Sequence, residues 1–131
     1  MRATTGAAGV SAEALRQGNL RAVVGEFRRS KVLVPVVDGS LVSAESGGIR
    51  WLFAFTDEAA LERFAEARGE PVPERIPVYG ARLLDQVIPR VDGPAGIAVD
   101  AGSPKGLVLP PVTGIVPDAV AVDVPSKEPA A

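Results

Sequence analysis

Hydrophobic positions along this chain change period several times, and each change marks an element. Leu20, Val23, Val24 and Phe27 fall at roughly helical spacing, which predicts a helix from Leu20 to Arg29. Gly25 is its weak point, since an interior Gly costs about 1 kcal/mol relative to Ala. Upstream, Ser11 is a candidate N-cap and Glu13 suits a first helical turn. Ala14 stands where a capping box needs Glu or Gln, and Gly18-Asn19 breaks the pattern, so these first turns are expected to be weaker or separate.

The period then shortens. Lys31 to Val37 is rich in β-branched residues and apolar on both faces, which predicts a strand. Pro35 cannot donate a ladder hydrogen bond, so an edge position or a bulge is expected there. Asp38-Gly39 is a hairpin signal, followed by a short strand around Leu41 to Ala44 and a turn at Ser46-Gly47-Gly48. Ile49, Trp51, Phe53 and Phe55 alternate with Arg50, Leu52 and Ala54, predicting a central strand covered on both faces. Helical spacing returns at Ala60, Leu61, Phe64 and Ala65, with Thr56 or Asp57 as the cap and Gly69 as the left-handed residue past the end.

Beyond Gly69 a Pro-rich link, Glu70 to Pro77, leads to a short strand at Val78-Tyr79. A helix from Ala81 to Ile88, burying Leu83, Leu84, Val87 and Ile88, should end at Pro89. Gly96 to Val99 and Leu107 to Leu109 read as strands around a turn at Ala101 to Gly106, and Gly114 to Val116 as one more strand. The order α-β-β-β-α-β-α-β-β describes a single α+β domain, a mixed, mostly antiparallel sheet with helices packed on it. That domain is expected over residues 11–117, with a disordered N-terminus at 1–10 and a disordered Pro/Ala-rich tail at 118–131.

Composition removes more functions than it suggests. The chain has 131 residues, enough for one core, and neither Cys nor His. A thiol nucleophile, a disulfide, a Cys/His zinc site and a Ser-His-Asp triad are therefore excluded. With no convergent carboxylate or Lys set either, the expectation is a protein that is not an enzyme and uses neither cofactor nor metal. A net charge of −2 offers no basic field for nucleic acid or anionic lipid, so neither nucleic acid nor membrane is expected as a partner. The opening MRATTGAAGVSAEALR lacks the apolar region of a secretory signal, and no stretch approaches the roughly 18 apolar residues of a membrane span. Cytoplasmic localisation is the expectation.

Several segments together carry a resemblance: Val34-Pro35-Val36, Gly48 to Thr56 (GIRWLFAFT), Pro77-Val78-Tyr79-Gly80, and Gly96 to Leu107 (GIAVDAGSPKGL). Over about Leu20 to Pro111 the chain resembles the SseB N-terminal-domain family. The resemblance implies a small bacterial, cytoplasmic α+β domain with a role in interactions, in a secretion- or stress-associated setting, and it implies no catalytic residues. The chain reads as a single copy of that domain without a C-terminal extension.

Candidate sites follow from the same residues. Trp51, Phe53 and Phe55 could line a groove, although alternating aromatics on a central strand are more often core. Trp51 stands out because a buried indole N–H needs a partner. Glu58, Glu62 and Glu66 at i, i+4 and i+8 form an acidic stripe, either for a basic partner or simply as a solvated helix face. Tyr79 precedes Gly80 and a helix start, where ligands often bind, but a core Tyr with an exposed hydroxyl is the simpler expectation; Arg82 lies one turn on. Gly102-Ser103-Pro104-Lys105-Gly106 lacks the spacing of a phosphate loop and reads as a turn. Arg28, Arg29 and Lys31 read as solvated charge at a helix end. The functional expectation is a non-enzymatic protein-interaction module of the SseB-like type that binds another protein of unknown identity or self-associates through a sheet edge. The alternative is a small-ligand-binding or sensor domain with its pocket between the sheet and the helix after Gly80, near Tyr79, Arg82 or Trp51.

Overall fold

A computed structural model describes residues 20–123 of the chain. The Ser11 cap and the expected disordered residues 1–10 lie outside the described residues, as do residues 124–131. The first helix, α1 (Leu20–Arg29), runs through Ser30 directly into β1 (Lys31–Val37). Asp38 and Gly39 both take positive φ, 53° and 80°, the geometry of a two-residue type I′ turn whose twist matches its strands. The returning chain forms β2 (Ser40–Leu41), passes Val42, and continues as β3 (Ser43–Ser46). Gly47 and Gly48, φ 64° and 81°, repeat the same kind of turn into β4 (Ile49–Ala54).

The single expected sheet is two. One is three-stranded in the order β2-β1-β5, with β5 at Glu74–Tyr79. The other is four-stranded in the order β3-β4-β6-β7, with β6 at Ala95–Val99 and β7 at Leu107–Leu109. All neighbours are antiparallel except β4 and β6. Val42 separates the two sheets along the returning strand: its N–H donates to the Pro35 carbonyl (3.0 Å) and its carbonyl accepts from Phe53 (3.2 Å). Leu33 and Phe55 exchange both backbone hydrogen bonds, at 2.7 and 2.8 Å, and close the junction.

This junction corrects the expectation for Pro35. It sits in the middle strand of its sheet, not at an edge, and its side chain is buried. Main-chain groups of alternate residues point to the same side of a strand, so the missing N–H of Pro35 falls where β1 changes partner from Phe55 to β2. The short strand expected at Val78-Tyr79 is the six-residue β5, paired with β1 from Glu74 to Tyr79. Pro77 lies opposite Leu33, whose hydrogen bonds go to Phe55, so the N–H that Pro77 lacks would have faced the open edge.

The second helix, α2 (Glu58–Ala67), is capped by Asp57, whose carboxylate accepts from the Ala60 N–H at 2.8 Å. It ends in a Schellman arrangement: Gly69, φ 66°, donates to Glu66 and Glu70 donates to Ala65. The helix expected over Ala81–Ile88 is present but irregular. A first α-turn, α3 (Gly80–Arg82), passes into a π-turn at Leu83–Val87 and a 3-10 turn at Ile88–Arg90, which absorbs Pro89. Gly114–Val116 is not a strand: an isolated bridge, Thr113 to Val116, closes a turn there. Residues 118–123, expected in the tail, fold back instead. A 3-10 turn (Asp118–Val120) brings Ala121 into full burial, and Asp123 accepts from the Thr113 N–H and hydroxyl at 2.8 and 2.7 Å.

The main core fills the space between both sheets and the helical segments. Val24 and Phe27 of α1, Val32 and Val34 of β1, Leu52 and Ala54 of β4, Ile97 and Val99 of β6, and Leu83, Leu84 and Ile88 meet there. A smaller cluster, Phe55, Ala60 and Leu61 with Phe53 and Phe64, seats α2. α1 is tied to the irregular helix by a two-pronged pair, Arg28 to Asp85 at 3.0 and 2.7 Å. Gly80 donates to the Ser30 carbonyl at 2.9 Å, and a Cβ at 80 would strike the backbone of Phe27.

Two glycines should therefore respond in opposite directions. Gly80→Ala is expected to destabilise the protein by about 2–4 kcal/mol in urea unfolding, because Phe27 backbone must move. Gly25→Ala, which meets only the flexible end of Arg29, should stabilise it by about 0.5–1 kcal/mol. A pH effect follows from the Arg28–Asp85 pair. Hydrogen bonding from Arg28 holds the Asp85 carboxyl below its ordinary 3.8, against partial desolvation. A lowered folded value contributes stability that is fully present above 3.8 and is lost as pH falls from there through the lowered value. The pair is well exposed, so its contribution should be no more than about 0.5 kcal/mol. Arg28→Met should lower the urea midpoint at neutral pH, and the difference from wild type should vanish in acid.

Candidate functional site

The two faces of the four-stranded sheet differ because alternation along β4 divides its side chains. Leu52 and Ala54, opposite Ile97 and Val99 of β6, enter the main core. Trp51 and Phe53, opposite Gly96 and Ala98, take the other face and are half-buried, where a fully covered aromatic row was expected. Only Phe55 of the three aromatics is fully buried. On the same outer face Ala44 of β3, opposite Trp51, is exposed, and Val108 of β7, opposite Ala98, is 50% exposed. The result is a largely apolar sheet surface running from Ala44 through Trp51 and Phe53 to Val108. The helix α2 meets it at Phe53, whose ring lies 5.0 Å from that of Phe64.

Trp51 is held by two features. Its indole N–H donates to the Ser46 carbonyl at 3.3 Å, which answers the polar end. Its ring occupies the space that a side chain at position 96 would need. A Cβ there would stand 2.7 Å from the ring and 2.6 Å from the Leu109 carbonyl, so Gly96 makes room for the indole.

One side chain that anchors the end of the sheet was not legible in the sequence. Asp100, 6% exposed, ends β6 with φ 51° and donates its N–H to Ala54 at 2.8 Å. Its carboxylate accepts from both the Thr56 N–H and the Thr56 hydroxyl, each at 2.8 Å. Asp100 thereby fixes the exit of β4 and places Asp57 to cap α2. The available signal was an Asp between a strand and the Ala101-Gly102 turn, since Asp tolerates left-handed backbone.

The other expected residues lie apart. Glu58 of the acidic stripe pairs with Arg75 of β5, Nε to Oε1 3.1 Å, and this hydrogen bond together with nearby Glu62 raises the Arg75 pKa. The stripe is thus partly neutralised from within, and Glu66 is exposed. Tyr79 is not a core residue: it is 53% exposed, with the Lys31 ammonium 5.4 Å from its ring centre. Its position at the end of an edge strand keeps the ring outside the sheet–helix space. Arg82 is exposed and borders a cavity between the three-stranded sheet and the irregular helix. The structure does not bring Trp51, Tyr79 and Arg82 together. Arg28 and Arg29 are paired with Asp85 and Glu26 and are not free helix-end charge. Among the described residues no group of three or more acidic side chains could hold a metal, and no helix is long and apolar enough to cross a membrane.

The family model described as the SseB protein N-terminal domain matches residues 10–113. No curated protein and no solved structure matches the chain.

The Asp100–Thr56 anchor has a direct test. Asp100→Ala leaves the Thr56 donors unpaired and forces a β-carbon residue without a local polar group into positive φ, so a loss of about 2–4 kcal/mol in urea unfolding is expected. Asp100→Asn, which keeps one acceptor and tolerates the backbone, should lose less than half as much.

Proposed function

The chain belongs to the SseB N-terminal-domain family, and on that scaffold we propose a non-enzymatic interaction module that binds another protein through the outer face of its four-stranded sheet. The observation that carries this reading is Trp51, a half-buried indole on an apolar sheet surface, with its N–H satisfied and its ring seated over Gly96. Tryptophan anchors of this kind dominate interface energies. The partner is a chain that lays apolar side chains flat across Ala44, Trp51, Phe53 and Val108.

A face suits binding here better than an edge. Pro77 removes a donor from the open side of β5, and β7 is three residues long before Pro110-Pro111. Each of these blunts strand addition. Self-association would use the same face. A bacterial cytoplasm fits a chain without Cys, and a secretion- or stress-associated adaptor acts through contact alone.

Cross-linking with the intact protein as bait should place contacts with one partner on the outer face of β3, β4, β6 and β7. Trp51→Ala should then weaken the affinity for that partner at least about thirtyfold. Val108→Glu, at an exposed position that does not threaten the fold, should weaken it as well. Contacts mapping to another surface, or affinities unchanged in both variants, would reject the reading.

A further inference from the structure

A second site lies on the opposite sheet and is independent of the Trp51 surface. Between the three-stranded sheet and the irregular helix after Gly80 is a cavity of about 300 Å³. Val34, Leu41, Ile76, Val78, Leu83 and Val87 line it together with Arg82, whose side chain is exposed. The volume falls at the lower limit of small-molecule sites, roughly 300–1,000 Å³. Among the described residues no hydrogen bond or ion pair engages the Arg82 guanidinium. The wall that carries Leu83 and Val87 is the π-turn, a rare geometry that occurs frequently at functional sites.

We propose that this cavity binds a small apolar monocarboxylate, with its hydrocarbon part among the aliphatic side chains and its carboxylate on Arg82. The charge pattern selects that class. A guanidinium presents a planar fork that matches one carboxylate, and its weak hydration makes it suited to an apolar border. A dianionic head would need further donors, and the remaining lining residues bring only aliphatic side chains and Pro77, which has no N–H. Another cavity, beside α1, is different. It is lined by Val23, Phe27, Val32, Val99 and Leu107 with no cation among its lining residues, and Glu26 at its border repels an anion.

The test uses the intact protein and hexanoate as the probe, followed by methyl NMR. Hexanoate should produce saturable shifts of the Leu41, Val78 and Val87 methyl signals. Hexanol should bind at least about tenfold more weakly, and hexylamine should leave these signals unmoved. Arg82→Gln, at an exposed position, should keep the methyl spectrum and weaken hexanoate about tenfold. Four results would each overturn the proposal: no saturable shift at millimolar hexanoate, equal affinity for hexanol, an Arg82→Gln variant that binds as well as wild type, or shifts confined to Val23, Val99 and Leu107.

Discussion

Two backbone hydrogen bonds between Leu33 and Phe55 hold this protein in its shape. They join a three-stranded and a four-stranded sheet that otherwise share one crossing residue, Val42. Every larger feature depends on the relative placement they set. Val32 and Val34 on one sheet can meet Leu52 and Ala54 on the other only because the strands are locked there. The small cluster under α2 begins at Phe55 itself. Phe55 is fully buried and Leu33 half-buried, so the lock is largely shielded from competing water.

Much of the fold was legible because local chemistry and tertiary need agree. Asp38-Gly39 and Gly47-Gly48 can form the tight turns whichever strands they join, and Asp57 with Gly69 marks α2 at both ends. The failures share a cause. Glu74 and Pro77 disfavour a strand, and the segment becomes one because β1 offers a full row of partners. Pro35 reads as an edge residue, and only the change of partners along β1 makes an interior position tolerable. The split at Val42 depends on which sheet each half joins, and no residue in Leu41 to Ala44 announces it. The π-turn likewise follows from packing, since Leu83, Leu84 and Ile88 all have to reach the core across a Pro-terminated segment.

The candidate sites were legible to different degrees. Trp51 was identifiable as an unusual residue, but its half-burial required knowing which face of β4 turns inward. Alternation gives two faces and does not choose between them; the choice rests on Ile97 and Val99, which are distant in sequence. Arg82 could be placed near a helix start, yet its cavity is formed by Leu41 and Val34 from another part of the chain. Asp100 was overlooked because its partner, Thr56, lies 44 residues away. A carboxylate that secures a distant loop leaves little local trace.

The seating of Trp51 over Gly96 has a photophysical consequence. The chain contains one tryptophan and one tyrosine, so nearly all near-ultraviolet emission excited at the red edge comes from a single indole. That indole lies at the surface of the four-stranded sheet and is remote in the fold from the cavity at Arg82. Its colour and its accessibility to dissolved quenchers are therefore a built-in optical readout of one face, without any label. The unmodified protein carries its own reporter for whatever covers that sheet.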